Sequence, residues 1–141
     1  MKEKISVFIN IFVISFVLNL IWENIQAPLY EGYYSFTQHF WICFKASLGD
    51  AVIITFIFFM LALFFKNILW FQNLNWKPIL FLVVIGMLIS IGIEKWALAT
   101  LRWHYAYNLP IIPIIKVGLT PVLQMMILPV TTFYILLKIR K

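Results

Sequence analysis

Four long apolar runs divide the chain, and short polar segments separate them. The runs cover residues 5–21, 51–65, 78–93 and 117–137. A helix needs about 20 largely apolar residues to cross a bilayer, so each run, with flanking residues, predicts a membrane-spanning helix. We expect helices over about 5–25, 44–65, 78–103 and 115–138. The sequence therefore predicts an all-α, polytopic integral membrane protein: one domain, residues 1–141, with four transmembrane helices in an antiparallel bundle.

Composition supports this class and narrows the partners. The 141 residues are 64% hydrophobic and 11% charged, whereas about a quarter of a soluble domain is charged. The single cysteine, Cys43, excludes an internal disulfide and a multi-cysteine metal site. The net charge of +6 is scattered among apolar runs, which favours cationic membrane loops over a nucleic-acid partner. We expect neither a cofactor nor a metal. The expected partners are membrane lipids, and the composition is also compatible with a lipophilic small-molecule ligand and with a homo-oligomer.

The distribution of lysine and arginine predicts an orientation. Four spans place both termini on one side of the membrane. That side would carry Lys2, Lys4, Lys66, Lys77, Lys138, Arg140 and Lys141, and the other Lys45, Lys95, Arg102 and Lys116. The excess of positive charge marks the cytoplasmic side. We therefore expect both termini in the cytoplasm of a bacterial cell, with the protein in the inner membrane.

Three carboxylates lie in the outer half of these spans: Glu23, Asp50 and Glu94. At 1.5 Å per residue, Glu94 lies about 24 Å along its helix from Pro78, inside the roughly 30 Å hydrocarbon layer. A charge at that depth costs several kcal/mol unless it is paired or faces water. The three acidic residues are therefore candidates for a functional site.

Other polar residues share helix faces with these carboxylates, at spacings of three and four. The stripes are Ser15, Asn19, Glu23 and Gln26; Cys43, Ser47 and Asp50; Gly86, Ser90 and Glu94; and Lys116, Thr120 and Gln124. Lipid cannot satisfy polar groups, so the stripes should face one another. We expect an outward-facing polar pocket, whose carboxylates are balanced by Lys116 and Arg102.

This pocket predicts acid–base chemistry on a lipophilic, lipid-like or isoprenoid-like substrate. A carboxylic acid removed from water can hold or donate a proton near neutral pH. Glu23, Asp50 and Glu94 are the candidate catalytic residues. The candidate substrate-binding residues are Asn19, Trp22, Trp96, Arg102, Trp103, His104, Lys116 and Gln124. The cations among them suit an anionic head group.

Four segments in order, "NLIWENIQAPLY", "CFKASLGD", "IEKWALATLRWHYAYNLP" and "VGLTPVLQMMILP", resemble a family of small bacterial four-helix integral membrane proteins. The resemblance covers most of the chain and implies the fold without an activity. The family-like positions are Trp22, Glu23, Cys43, Gly49, Asp50, Glu94, Arg102, Trp103, Tyr105, Pro110, Gly118, Pro121 and Gln124.

A shorter match concerns the first span. "NLIWE", followed by a helix aspartate, resembles the membrane-bound terpene cyclases of meroterpenoid pathways. In those larger enzymes a buried acid protonates an alkene or an epoxide. The resemblance implies that role for Glu23 and Asp50.

Three other functions fit the same residues. A small solute transporter, a proton-coupled transporter or a channel would use the carboxylates as protonation sites. A non-catalytic accessory subunit would use the outer face for docking. Asp50, Glu94 and His104 also offer hard ligands for a metal, although their spacing matches no metal motif. Whether the protein is an enzyme stays open at this point.

Overall fold

The computed structural model describes residues 2–140 and is built almost entirely of α-helices. The helices are α1 (Lys2–Gln26), α2 (Phe36–Phe64), α3 (Trp76–Ala99) and α4 (Leu119–Ile139). Short 3-10 turns cover Ala27–Leu29 and Trp70–Asn73, and a two-stranded hairpin pairs β1 (Ile111–Ile112) with β2 (Val117–Gly118). All four helices are long and apolar enough to cross a membrane. The prediction of four such helices is confirmed.

Two helix starts differ from the sequence prediction. Helix α2 begins at residue 36 rather than 44, since the side chain of Ser35 caps it by accepting from the N–H of Gln38 at 3.4 Å. Helix α4 begins at residue 119 rather than 115, because the first two residues of the apolar run, Val117 and Gly118, form strand β2. Between the strands the chain turns at Lys116, whose φ is +55°.

The end of α3 also differs. The helix stops at Ala99 instead of residue 103, and Leu101 has a φ of +56°. A residue in that left-handed region cannot continue a right-handed helix. The segment "LRWH" therefore belongs to the loop after α3, which brings Trp103 and His104 back over the helix ends.

Two connections meet at one end of the helices, which we call the two-loop end. Residues 27–35 link α1 to α2, and residues 100–118 link α3 to α4. Tyr30 and Tyr105 form a β-bridge between them. Further backbone hydrogen bonds run from Glu31 N–H to His104 at 3.0 Å and from Ala106 N–H to the Leu29 carbonyl at 2.9 Å. The two loops thus form one joined layer over the helices.

Helix packing is uneven around the molecule. Helix α1 packs against α2 and α4, and α3 packs against α4, but α2 and α3 touch only sparsely. The hydroxyl of Ser90 ties α3 to α4 by donating to the Pro121 carbonyl at 2.9 Å. Neighbouring helices are therefore in close contact everywhere except along a gap between α2 and α3.

The opposite end, which we call the termini end, is filled by aromatic rings. Phe58, Trp70, Phe71 and Phe133 are buried and lie in mutual contact, with ring centroids 4.8–6.5 Å apart. Phe81 of α3 meets Phe64 of α2 at 4.8 Å. The α2–α3 gap is thus closed at the termini end and widens toward the two-loop end.

Candidate functional site

A cavity of about 630 Å³ lies near the two-loop end. All four helices and both loops contribute to its walls. Its polar and titratable lining residues are Glu23, Gln26, Tyr30, Glu31, His39, Cys43, Asp50, Ser90, Glu94, Arg102, Trp103, His104 and Gln124. Three carboxyl groups from α1, α2 and α3 therefore reach one shared space.

Glu23 and Asp50 form a carboxyl pair in this cavity. Their side chains lie within hydrogen-bonding distance of each other. The amide nitrogen of Gln124 donates to Glu23 Oε1 at 2.9 Å and to Asp50 Oδ2 at 3.0 Å. Within residues 5–139, no lysine, arginine or histidine forms an ion pair with either carboxyl group. Amides, and not cations, hold this pair.

Two further amides complete what we call the amide–carboxyl cluster: Asn19, Glu23, Gln26, Asp50 and Gln124. Gln124 Nε2 also lies 2.8 Å from Asn19 Oδ1. Gln26 Nε2 donates to Glu23 Oε1 at 3.0 Å and to Gln124 Oε1 at 2.9 Å. Asn19, Gln26 and Gln124 are buried. Their orientations are fixed mutually, because each amide has both a donor and an acceptor role to fill.

Local sequence explains how α1 contributes three of these residues. Positions 19, 23 and 26 are separated by four and three residues, so they share a helix face. Asn19 is held in place by donating to the Ser15 carbonyl, one turn earlier, at 2.8 Å. Trp22 lies outside the cavity lining and supports the cluster by donating to Gln26 Oε1 at 3.1 Å.

Glu94 lies in the same cavity but has a different set of partners. Its carboxyl group accepts from the Trp103 indole at 3.3 Å and from the Tyr105 hydroxyl. The same hydroxyl accepts from the Gly118 N–H at 3.0 Å. Burial, and then the hydrogen bond to Glu94, raise the pKa of Tyr105, so this loop tyrosine stays neutral at physiological pH. Glu94 thus fastens the α3–α4 connection to the end of α3.

The charge balance expected from Lys116 and Arg102 is not found among the described residues. Lys116 is exposed in the turn of the hairpin and does not line the cavity. The Arg102 guanidinium lies over the ring of Trp96, 4.8 Å from its centroid. Trp96 is itself 52% exposed and outside the lining. Their positions follow from the early end of α3 and the late start of α4.

The other candidate residues fall into two groups. Arg102, Trp103, His104 and Gln124 line the cavity together with the three carboxylates. Asn19 lies behind the lining as a partner of Gln124. The structure therefore gathers most of the predicted residues and leaves Trp22, Trp96 and Lys116 away from the cavity surface.

Three contributors were not among the candidate site residues. Gln26 belongs to the polar stripe of α1, and that spacing was the available signal. Tyr30 and Tyr105 lie in different loops and pack edge to face, with centroids 5.7 Å apart. Burial, and then the nearby Glu94, raise the pKa of Tyr30. No local pattern in the sequence pairs these two tyrosines.

Among residues 5–140, no three or more His, Cys, Asp or Glu residues are grouped so as to hold a metal ion. Comparison with known protein families, curated proteins and solved structures gave no match.

Proposed function

We propose that this chain is a multi-pass protein of the bacterial inner membrane whose cavity binds a lipophilic molecule and exchanges a proton with it. The observation that carries the proposal is the Glu23–Asp50 carboxyl pair, which lies in the cavity and forms no ion pair with a described cation. Ionisable residues within membrane spans mark functional sites by default.

The pair is suited to handling a proton. Two carboxyl groups hydrogen-bond to each other only when at least one carries a proton. When the pair gives a proton to a bound molecule, the O–H bond breaks and a bond to the accepting atom forms. The negative charge stays on the carboxyl oxygens, where the Gln124 amide donates to it. The reverse transfer returns the proton.

The cavity walls favour a lipophilic partner. The α2 residues Ile42, Ala46, Gly49 and Ile53 line the cavity along the α2–α3 gap, together with Ile93 of α3. Ile42 and Gly49 are exposed, which in a membrane means exposed to lipid. An apolar molecule can therefore pass from the hydrocarbon into the cavity without crossing water.

Glu94 acts as a positioning residue in this proposal. Its two donors, Trp103 and Tyr105, come from the loop. In this proposal both stay hydrogen-bonded to Glu94 while the Glu23–Asp50 pair transfers its proton. Replacing Glu94 should loosen the loop rather than remove the proton site. This assigns the acid–base role to Glu23 and Asp50.

The same proposal includes an orientation. The two-loop end carries Lys45, Lys95, Arg102 and Lys116, while the other basic residues belong to the termini end or the chain ends. By the positive-inside rule, we then expect both termini in the cytoplasm. In this orientation of the antiparallel helices, the cavity lies near the outer surface. Cysteine labelling tests it: Tyr107→Cys should react with an impermeant maleimide in intact cells, and Asn67→Cys only after permeabilisation.

A transporter or channel receives no support from the termini end. Phe58, Trp70, Phe71 and Phe133 fill that end, with Phe58, Phe71 and Phe133 at most 1% exposed. Among the described residues, these aromatic rings separate the cavity from the termini end. Liposome flux remains the direct measurement for that alternative.

Native mass spectrometry of the full chain, released from nanodiscs, tests the proposed function. We expect wild-type protein to carry a lipophilic molecule and the isosteric Glu23→Gln/Asp50→Asn variant to lose it. Thr132→Val, which removes a buried hydroxyl of α4 outside the cavity lining, should retain it. Equal occupancy in all three proteins would overturn the proposal. Infrared spectra add a second readout, because a protonated carboxyl band should disappear only in the double variant.

A further inference from the structure

The amide–carboxyl cluster satisfies its own hydrogen bonds only while the carboxyl pair holds a proton. Gln26 Nε2 gives its two hydrogens to Glu23 Oε1 and Gln124 Oε1. Gln124 Nε2 has Asn19 Oδ1 and Asp50 Oδ2 as acceptors for its own two hydrogens. These four amide hydrogens leave the second oxygens of Glu23 and Asp50 to a proton shared between the two carboxyl groups. A bound molecule that accepts this proton and directs it back at the pair restores the hydrogen bond.

The balance of charge points in the same direction. Glu23 and Asp50 form no ion pair with a cation among residues 5–139, and the Arg102 guanidinium lies over Trp96 instead. A buried carboxylate without a positive partner is unfavourable. A positively charged ligand supplies the missing partner, whereas an anionic one adds repulsion.

Aromatic rings in the cavity lining also suit a cation. Tyr30 and Trp103 both line the cavity and pack edge to face, with centroids 6.4 Å apart. The face of an aromatic ring attracts a cation within about 6 Å of its centroid. The lining therefore places carboxyl groups and two aromatic rings within one cavity of about 630 Å³.

We infer that the ligand is a lipophilic amine, an inference that rests on the function proposed above. The neutral amine enters from the lipid through the α2–α3 gap and places its nitrogen beside Glu23 and Asp50. The nitrogen lone pair takes a proton from the carboxyl pair: one O–H bond breaks, one N–H bond forms, and an ammonium and a carboxylate remain as an ion pair. The new N–H donates to the carboxyl oxygens from which the proton came.

A series of ligands with equal chains tests the inference on wild-type protein in phosphatidylcholine nanodiscs. The probes are N,N-dimethyldodecylamine, dodecanol, dodecyl methyl ether and dodecyl phosphate, with empty nanodiscs as the reference for partition into lipid. We expect the amine to bind at least tenfold more tightly than the alcohol and the ether. A tenfold ratio corresponds to about 1.4 kcal/mol.

The double variant Glu23→Gln/Asp50→Asn should reduce that ratio to near one, while Thr132→Val, outside the cavity lining, keeps it. If the alcohol binds as tightly as the amine and still depends on the pair, the amine is wrong and the proposed function stands. Tightest binding of dodecyl phosphate, lost in Arg102→Gln, also overturns the inference. If no probe binds beyond empty nanodiscs, the inference and the lipophilic site both fail. The wild-type ratios decide even if the double variant does not fold.

Discussion

Gly86 of α3 lies directly against the backbone carbonyl of Met125 in α4. A Cβ atom added at Gly86 would lie 1.9 Å from that carbonyl oxygen. The carbonyl lacks its usual helical partner, because position 129 is a proline without an N–H. The glycine thus allows α3 and α4 to cross closely, just beyond the cavity.

Gly86→Ala should therefore destabilise the protein. A backbone carbonyl cannot move aside as a flexible side chain would, and overpacking of this kind costs about 1–3 kcal/mol. Thermal unfolding in mild detergent, followed by circular dichroism, measures the effect. Gly92→Ala is the matched control, because a Cβ there meets nothing within 4 Å. Equal stability of the two variants would contradict the close crossing.

Gln124 connects both carboxyl groups to α4, and its removal should affect stability and binding together. Gln124→Leu leaves Glu23, Asp50 and Asn19 without their shared donor. Unsatisfied buried polar groups cost about 1–3 kcal/mol each. We expect a lower unfolding temperature and loss of the bound lipophilic molecule in native mass spectra. Thr132→Val, which removes a buried hydroxyl bonded only within α4, should keep the molecule. A Gln124→Leu protein with unchanged occupancy would show that the cluster is packing alone.

The gap between α2 and α3 leads to a prediction about entry. Gly49 lines the cavity and a Cβ there meets nothing within 4 Å, so a large side chain fits without displacing the core. Gly49→Phe should fill the gap and slow the exchange of the bound molecule at least tenfold. Gly92→Phe places the same ring on α3 outside the lining and should exchange like wild type. Equal rates in the two variants would place the entry elsewhere.

Tyr105 predicts a loss of stability in alkaline solution. Its pKa in the folded protein is raised above the ordinary 10.0, by burial first and then by the bond to Glu94. The neutral hydroxyl therefore contributes stability fully below pH 10. That contribution is lost as pH rises from 10 through the folded pKa, since the unfolded tyrosine ionises first. Unfolding temperatures between pH 8 and pH 11 should fall less steeply in Tyr105→Phe. Parallel slopes would exclude Tyr105 as the cause.

Tyr105→Phe is also expected to loosen the loop over the cavity. The substitution removes the donor to Glu94 and the acceptor of the Gly118 N–H. Hydrogen exchange should accelerate at Gly118 and leave the centre of α2 unchanged. Uniform acceleration across the chain would indicate global destabilisation instead.

Much of this architecture could be predicted from hydropathy and spacing. Four apolar runs mark four helices because each must satisfy its own backbone in lipid. The three- and four-residue spacing of Asn19, Glu23 and Gln26 was enough to place them on one face. That face then had to meet strongly polar residues of the other spans, among them Asp50 and Gln124.

The loops could not be predicted in the same way. Lys116 continues the spacing of Thr120 and Gln124, yet a hairpin and a left-handed turn remove it from the helix. The contact between Tyr30 and Tyr105 joins positions 75 residues apart. Local sequence carries no signal for such pairing, so the layer over the cavity emerges only from the tertiary structure.

The lipid-facing gap has a consequence for selectivity. In the membrane proposed for this protein the space between α2 and α3 is never empty, because acyl chains fill it whenever no other molecule does. Binding of a lipophilic molecule then replaces one hydrocarbon, the acyl chain, by another. Lipid tails are about as apolar as leucine side chains. The exchange itself yields little net hydrophobic gain. Selectivity among ligands must therefore come from their few polar atoms. The length of the apolar tail determines only whether the polar group reaches the carboxyl pair.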